Sequence, residues 1–189
     1  MLSGIRIGFA MTGSFCTFER VLKIVPEFVR MGAEVTPILS ETAYKTDTRF
    51  MKAKDVIERL EGICGKHPIH DIIGAEPIGP KKLLDMLIVA PATGNTIGKL
   101  VYGITDSCVA MACKAHWRNG RPVLLAVSTN DGLSTSAEAI ARLSRRKDTF
   151  LLPYEQDDPA GKPDSLVAKM EVLPEYACEI LRLRGVISG

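Results

Sequence analysis

The sequence predicts a three-layer αβα sandwich built on a doubly wound parallel sheet. Short apolar runs rich in branched residues alternate with longer amphipathic segments along the 189 residues, and this alternation is typical of parallel βαβ units. Most runs are apolar on both faces, as expected for strands buried between two helical layers. A hydrophobic fraction of 46% is enough to fill one core. We therefore expect residues 1–189 to form one Rossmann-like or flavodoxin-like α/β domain.

Six segments are predicted as strands, and the third is the weakest. They are residues 5–11, 34–39, 71–73, 86–90, 122–127 and 149–152. The first helix is predicted from apolar residues that recur at steps of three and four, namely Phe18, Val21, Leu22, Val25 and Val29. Pro26 within it should produce a kink. Similar patterns predict helices over residues 46–61, 96–117, 134–147 and 173–184.

The segment over residues 154–165 differs from the rest of the chain. It is polar, contains several proline and glycine residues, and is longer than an ordinary connection. We therefore predict a mobile flap or arm at about residues 154–170.

Composition argues against several classes of partner. Lysine and arginine number 24 against 22 acidic residues, a net charge of +2, which is too small to bind nucleic acid or a membrane surface electrostatically. The five cysteines form no CxxC pair, and His67 and His70 lack a full set of metal-ligand neighbours, so neither a disulfide framework nor a metal site is predicted. The N-terminus has no charged leader with an apolar stretch. We expect a cytoplasmic protein with no membrane anchor.

Polar segments follow four of the predicted strands. Ligands of open parallel sheets bind beyond the carboxyl ends of the strands, so we expect these segments to form one pocket. Backbone N–H groups at helix N-termini, together with Ser and Thr hydroxyls, can hold a phosphate without a lysine. The four segments are Thr12-Gly13-Ser14-Phe15, Ser40-Glu41-Thr42-Ala43, Pro91-Ala92-Thr93-Gly94-Asn95-Thr96 and Ser128-Thr129-Asn130-Asp131-Gly132.

Each of these segments, taken alone, is also typical of a helix cap or a turn. Taken together they favour a phosphate-bearing ligand, because the uncharged stretch around residues 91–96 is longer than a single cap requires. The sequence contains neither GxGxxG after the first strand nor GxxxxGK[ST]. A dinucleotide fold or a P-loop is therefore not predicted.

The segment over residues 85–107 resembles a signature of FMN-binding flavoproteins. It reads Asp-Met-Leu-Ile-Val-Ala-Pro-Ala-Thr-Gly-Asn-Thr-Ile-Gly-Lys-Leu and continues to Gly103-Ile104-Thr105-Asp106-Ser107. The family includes phosphopantothenoylcysteine decarboxylase and the flavin prenyltransferases. The resemblance extends to Thr12-Gly13-Ser14, to Ser40 with Ala43, and to Ser128-Thr129-Asn130, in the same order and at similar spacing. It implies FMN as the cofactor and a homo-oligomeric assembly.

The resemblance also implies roles for individual residues. Gly13, Ser14, Ser40, Thr93 and Thr96 would hold the phosphate and ribityl chain. Ala92, Asn95 and Asn130 would lie near the isoalloxazine or the substrate. With their neighbours, the predicted cofactor contacts are Thr12, Gly13, Ser14, Phe15, Ser40, Ala43, Pro91, Ala92, Thr93, Asn95, Thr96, Ser128 and Asn130.

Two departures from the family pattern argue against decarboxylation. The decarboxylases of this family place a catalytic histidine just ahead of the fourth predicted strand, where this chain has Pro77. They also carry a cysteine in a flap after the last strand, whereas Gly161-Lys162-Pro163-Asp164-Ser165 contains none.

Within the family, the chain resembles a subgroup that acts in spore formation. Its Ser-Phe-Cys-Thr-Phe after the first turn and its Lys-Pro-Asp-Ser flap are similar to subunits that oxidise a dihydropyridine-type dicarboxylate to pyridine-2,6-dicarboxylate. The resemblance implies a partner subunit that carries NAD(P). Such chemistry needs a site for a small dianion, and FMN can accept the hydride equivalent. Lys162 is the first candidate cation, followed by Lys81, Lys82 and Lys169. Asn95, Asn130 and Lys162 are the predicted catalytic residues.

One alternative to this interpretation is another FMN-dependent, decarboxylase-like enzyme, and three others differ more. The pocket could be vestigial, with the chain serving as a structural or regulatory partner. An electron-transfer flavodoxin is disfavoured by the balanced charge and the aromatic content of 6%. Flavin prenylation is disfavoured because Ser128 stands where that group tends to place an arginine.

Overall fold

The computed structural model describes residues 1–188. It contains seven strands and eight α-helices within that range. The strands are β1 (Arg6–Met11), β2 (Glu34–Leu39), β3 (Met86–Ala92), β4 (Val123–Thr129), β5 (Thr149–Leu151), β6 (Tyr154–Glu155) and β7 (Leu166–Ala168). The helices are α1 (Phe18–Arg30), α2 (Glu41–Lys45), α3 (Ala53–Cys64), α4 (Ile72–Ala75), α5 (Gly94–Tyr102), α6 (Cys108–Trp117), α7 (Ala137–Ser144) and α8 (Leu173–Leu183).

The first five strands form a parallel sheet in the order β2-β1-β3-β4-β5. This is the flavodoxin-like order, and its topological switch point lies between β1 and β3. Strand β4 has two neighbours on its outer edge: its first half pairs with β5 in parallel, and Ser128 and Thr129 pair antiparallel with β7. The predicted fold class is confirmed.

Successive strand residues alternate between two apolar clusters, one on each face of the sheet. On β3, Met86 and Ile88 face the layer of α1, α3 and α8, whereas Leu87 and Val89 face the layer of α5, α6 and α7. All seven residues of this strand are buried. The burial on both faces explains why the strand reads as a continuous apolar run.

The prediction of a strand over residues 71–73 is wrong, because Ile72–Ala75 form helix α4. Asp71 instead caps α4, and its carboxylate accepts a hydrogen bond of 2.7 Å from the N–H of Gly74. This local bond favours a helical turn over an extended chain, and Ile73 is left 83% exposed. Nearby, Ile69 forms one isolated parallel bridge to Ile38.

Two predicted helices differ from the observed ones, one by a break and one by a later start. The helix predicted over residues 96–117 is divided at Gly103, which adopts φ of +69°, and α6 begins after Ser107. The segment predicted as helical from residue 46 is a loop as far as Lys52, and α3 follows it. In α1 the predicted apolar stripe is buried except at its last position, where Val29 is 38% exposed and Phe28 is buried instead.

The predicted flap is held by two strands that the sequence pattern did not indicate. Strands β6 and β7 pair antiparallel, and β7 continues the sheet beyond the end of β4. Residues 156–165 form the connection between them. Within this connection the Asp157 carboxylate accepts a hydrogen bond of 2.8 Å from the Ser165 hydroxyl. The pairing places Lys162 at the carboxyl edge of the sheet.

Candidate functional site

A cavity of about 230 Å³ lies at the carboxyl edge of the sheet, over the switch point between β1 and β3. The segments after β1, β2 and β3 form its walls. Its lining residues are Thr12, Gly13, Ser40, Glu41, Thr42, Thr93, Asn95, Thr96, Lys99 and Ser107. We call this the first cavity.

Buried hydrogen bonds hold the walls of the first cavity together. The Thr12 hydroxyl donates to the Pro91 carbonyl at 2.8 Å and accepts from the N–H of Thr93 at 3.0 Å. The N–H of Ser40 donates to the Met11 carbonyl at 3.0 Å. Because Thr12 is 1% exposed, these bonds are shielded from water and fix the segments after β1 and β3 relative to each other.

Hydroxyls that cap helices contribute donors to this cavity. The Ser40 oxygen accepts from the N–H of Ala43 at 3.2 Å, and the Ser107 oxygen accepts from the N–H of Ala110 at 3.3 Å. A hydroxyl that accepts at a cap keeps its own hydrogen for donation. Together with the first N–H groups of α5, which Thr93 caps, these donors suit a phosphate.

The first cavity also contains charges that the sequence did not single out. The ammonium of Lys99 lies 2.8 Å from the Asp106 carboxylate, and its side chain is 26% exposed. The Glu41 carboxylate accepts from the N–H of Cys108 at 3.0 Å and so occupies the N-terminus of α6. Lys99 therefore supplies the one cation among the lining residues, which departs from the expectation of uncharged donors alone.

The carboxylate of Glu41 also raises the pKa of the buried thiol of Cys108. Burial first, and then the charge of Glu41, raise the pKa of Cys108 to about 12. The thiol is therefore protonated at neutral pH, and its sulfur donates to the Leu39 carbonyl at 2.9 Å. Cys108 acts as a structural donor there.

A second cavity of about 400 Å³ adjoins the first, and the two share Gly13 and Thr93. The remaining lining residues are Ser14, Phe15, Cys16, Arg49, Phe50, Ser128, Thr129, Asn130 and Lys162. The Ser128 side chain is 2% exposed and its hydroxyl oxygen has no hydrogen-bond partner among the described residues. A buried hydroxyl without a partner is costly to a folded protein, so Ser128 is a ready partner for a bound molecule.

A carboxylate network fixes the end of β4 beside these cavities. The hydroxyls of Thr129 and Ser136 both donate to one oxygen of Asp131, the latter at 2.9 Å. Gly94, the first residue of α5, packs directly on this network, since a Cβ at that position would lie 2.8 Å from the same oxygen. The network therefore sets the spacing between the β4 end and the N-terminus of α5.

The four strand-end segments meet at these two adjoining cavities. Of the predicted cofactor contacts, Thr12, Gly13, Ser40, Thr93, Asn95 and Thr96 line the first cavity, and Gly13, Ser14, Phe15, Thr93, Ser128 and Asn130 line the second. The predicted catalytic residues are separated, because Asn95 lines the first cavity while Asn130 and Lys162 line the second.

Three predicted contacts present no side chain to either cavity. Ala43 and Ala92 are fully buried in the two cores, and Pro91 is buried within β3. Their contribution is through the backbone: Ala43 offers its N–H to Ser40, and Pro91 offers its carbonyl to Thr12. Lys81 and Lys82 lie on the opposite edge, where the Lys82 carbonyl accepts from Arg121 next to the start of β3.

Arg49 and Phe50 belong to the second cavity although they were assigned to a helix from the sequence. The residues Asp47 and Thr48 are typical turn residues and provided a signal for a loop. The Thr48 oxygen accepts from the N–H groups of Phe50 and Met51 at 3.2 and 3.3 Å, and Asp47 accepts from Ala53 at 2.9 Å.

Other features of the described chain bear on function. Across residues 1–188, no group of three or more His, Cys, Asp or Glu side chains is arranged to hold a metal ion. His67 and His70 pack instead around Tyr44, whose ring stacks on that of His70 at 3.9 Å.

Within residues 1–188, no helix is long and apolar enough to cross a membrane. A larger hollow of about 490 Å³ lies between α6 and the turn at Glu76–Ile78, away from the strand ends.

Comparison with known proteins defines the class. A family model described as Flavoprotein matches residues 1–176, and the chain belongs to this family, as the sequence signature indicated. It is similar to the B subunit of dipicolinate synthase from Bacillus subtilis (strain 168), with 46% identity over 174 residues that cover 92% of this chain and 87% of that protein.

Solved structures agree with this assignment. The crystal structure of the B subunit of dipicolinate synthase from Bacillus halodurans has a TM-score of 0.84 at 42% identity, covering 92% of this chain and 89% of the other. Burkholderia xenovorans DmrB in complex with FMN has a TM-score of 0.72 at 18% identity, covering 96% and 97%. The second similarity is one of fold.

Proposed function

We propose that this chain is the FMN-binding subunit of a dipicolinate synthase, which oxidises dihydrodipicolinate, or its hydrated precursor, to pyridine-2,6-dicarboxylate during sporulation. It acts in the cytoplasm of the mother cell as a homo-oligomer, together with an A subunit that carries NAD(P). The observation that carries the proposal is the convergence of four strand-end segments on two adjoining cavities. The 46% identical relative supports the choice of reaction.

The chemistry of the lining residues fits FMN. In the first cavity, Ser40, Thr93 and Lys99 would hold the phosphomonoester, because hydroxyls at helix caps and one cation complement its charge. The carboxylate of Glu41, which also lines this cavity, is bound to the N–H of Cys108. The second cavity adjoins it and offers the aromatic face of Phe15 and the buried hydroxyl of Ser128. A planar ring system with polar edges matches this combination of an apolar wall and a single buried donor.

Formation of the aromatic pyridine removes two hydrogen atoms from a dihydropyridine, one as a hydride and one as a proton. FMN, when bound, accepts the hydride equivalent. The chain itself orients the substrate, with Lys162 binding a carboxylate and Asn130 offering its amide at the same cavity. Decarboxylation is not part of the proposal, because Pro77 and the cysteine-free flap replace the residues that it uses in this family.

The test compares FMN with riboflavin, which lacks only the phosphate. Protein freed of flavin is titrated with each compound, and binding is followed by flavin fluorescence and by the visible spectrum. We expect FMN to bind at least about tenfold more tightly, which corresponds to about 1.4 kcal/mol. Equal affinity for the two flavins, or uptake of neither, would contradict the assignment of the first cavity. Product formation is then measured with the A subunit present and absent.

A Ser128→Ala variant should separate cofactor binding from stability. The hydroxyl has no partner among the described residues, so its removal should leave the unfolding free energy of the flavin-free chain unchanged or slightly higher. Loss of one hydrogen bond to FMN should weaken its binding about three- to tenfold. Urea denaturation and flavin titration measure the two quantities.

Ser136→Ala is the matched control. Its hydroxyl is also buried, but it donates to Asp131 at 2.9 Å, so this variant should lose about 1 kcal/mol of stability. A Ser128→Ala protein that is destabilised in the same way and binds FMN normally would show that the hydroxyl serves the fold alone.

A further inference from the structure

We propose that Arg49 and Phe50 form the subsite that selects a planar ring with two carboxylates, with Arg49 binding one carboxylate and Lys162 the other. The inference rests on the proposed function and names the residues that determine its substrate class. It assigns a role to a loop, residues 46–52, that separates α2 from α3.

The second cavity has the charge that a dianion requires. Among the residues that line this cavity, Arg49 and Lys162 carry a positive charge, and the others are neutral. They come from different segments, the loop before α3 and the connection between β6 and β7. Two cations on separate segments can each meet one carboxylate of a rigid dicarboxylate, whereas a monocarboxylate can satisfy only one of them.

Arg49 is available for such a contact. Within residues 1–188 its guanidinium makes no ion pair, and it lies over the ring of Phe50, 4.8 Å from the ring centroid. Lys162, by contrast, lies 3.4 Å from the Asp157 carboxylate, a long and half-exposed contact. A guanidinium has a fork geometry that matches a carboxylate with two parallel hydrogen bonds, so Arg49 is the stronger anchor of the two.

The loop that carries Arg49 is ordered in advance. Hydrogen bonds from the backbone to Thr48 and Asp47 fix the residues on both sides of Phe50. A group held before binding loses less conformational freedom when the ligand arrives. The order of this loop therefore favours a role in recognition over that of a plain connection.

Phe50 supplies the surface for the ring. Its side chain is 51% exposed although it is large and apolar, and it lines the same cavity as Phe15. Aromatic rings pack favourably in offset or edge-to-face arrangements. An aromatic face next to a guanidinium is complementary to a flat ring that bears a carboxylate, and much less so to a flexible aliphatic diacid.

The experiment measures the preference for two carboxylates over one. Benzene-1,3-dicarboxylate has the carboxylate spacing of the product but lacks the chelating ring nitrogen, and benzoate is its one-carboxylate counterpart. Both are titrated by calorimetry into the full chain, with and without FMN. We expect the dicarboxylate to bind at least about tenfold more tightly than benzoate. The ratio should fall as salt is raised, since mobile ions screen the exposed cations.

Single substitutions test which residues produce the preference for the dicarboxylate over benzoate. Arg49→Gln and Lys162→Gln should each bring the ratio close to one, and Phe50→Ala should weaken both ligands by a similar factor. Arg30→Gln, at the exposed end of α1, and Lys81→Gln, at the opposite edge of the sheet, are matched controls that should keep the ratio of the unmodified chain. The variants' FMN content, read from the visible spectrum, reports whether each is folded.

The outcomes separate the two proposals. A chain that takes up FMN but shows no dicarboxylate preference, or keeps the preference in Arg49→Gln, overturns the subsite. A chain that takes up no FMN overturns the proposed cofactor, while the titrations without FMN still decide whether Arg49 and Lys162 select the dicarboxylate.

Discussion

Replacing Gly94 with alanine is expected to lower the free energy of unfolding by about 1–3 kcal/mol, the usual cost of overpacking. The added Cβ would lie 2.7 Å from the hydroxyl oxygens of Thr129 and Ser136 and 2.8 Å from an Asp131 oxygen. These distances are well inside van der Waals contact, so either α5 moves away from β4 or the network around Asp131 breaks. FMN binding should weaken at least about tenfold, about 1.4 kcal/mol, because the N-terminus of α5 lines the first cavity.

Gly98 is the matched control on the same helix. A Cβ at Gly98 meets nothing within 4 Å, and alanine is favoured over glycine in a helix interior by about 1 kcal/mol. Gly98→Ala should therefore raise the unfolding free energy, in the opposite direction from Gly94→Ala. Urea denaturation of both variants, with FMN titration, measures the difference. If the two variants change stability in the same direction, the Asp131 network does not set the position of α5.

The sheet could be predicted from the sequence because its strands are buried on both faces. Such strands appear as uninterrupted apolar runs, and residues 34–39 were predicted with the observed ends. The polar segments after β1, β2, β3 and β4 could be expected to meet for the same reason, since parallel strands end at one edge. Their convergence can therefore be predicted without knowing any side-chain contact.

The remaining features depend on contacts that are distant in sequence or on single hydrogen bonds. Strand β7 has three residues and is defined by its pairing with Ser128 and Thr129, almost 40 positions earlier, so no local pattern marks it. The Asp71 cap converts an apolar triplet into a helical turn. Arg49 and Phe50 reach the second cavity only because Asp47 and Thr48 end the helical pattern around them.

The two cavities lie at the same edge of the sheet but differ in their lining residues. The first cavity sits at the switch point, where helix N-termini and hydroxyls provide donors that suit a phosphate. The second lies beside it toward β4, where the β6–β7 connection and the loop before α3 each bring one cation. A cofactor held on the rigid strand ends, with the substrate selected by the two flanking loops, would follow the usual division between scaffold and binding loops.

Lowering the pH from 7 to 4.5 is expected to reduce the free energy of unfolding by about 2 kcal/mol through His116 alone. This side chain is 1% exposed, and neither ring nitrogen has a hydrogen-bond partner of normal geometry within the described chain. Burial first, and then the positive charge of Arg121, lower the pKa of His116 to about 4 from 6.5. Between these two values the unfolded chain binds a proton that the folded chain does not.

Because the folded pKa of His116 is depressed, its stabilising contribution is complete above about pH 6.5 and is lost progressively as the pH falls toward 4. Urea denaturation at half-unit intervals over pH 7 to 4.5 measures the slope. A His116→Gln variant cannot titrate at this position and should show a much smaller fall, whatever its absolute stability. His67→Gln, a substitution at the exposed histidine beside Tyr44, is the control and should retain the fall. An equal slope in the parent and in His116→Gln would mean that other groups govern stability in this range, because only the loss of the buried imidazole distinguishes the two proteins.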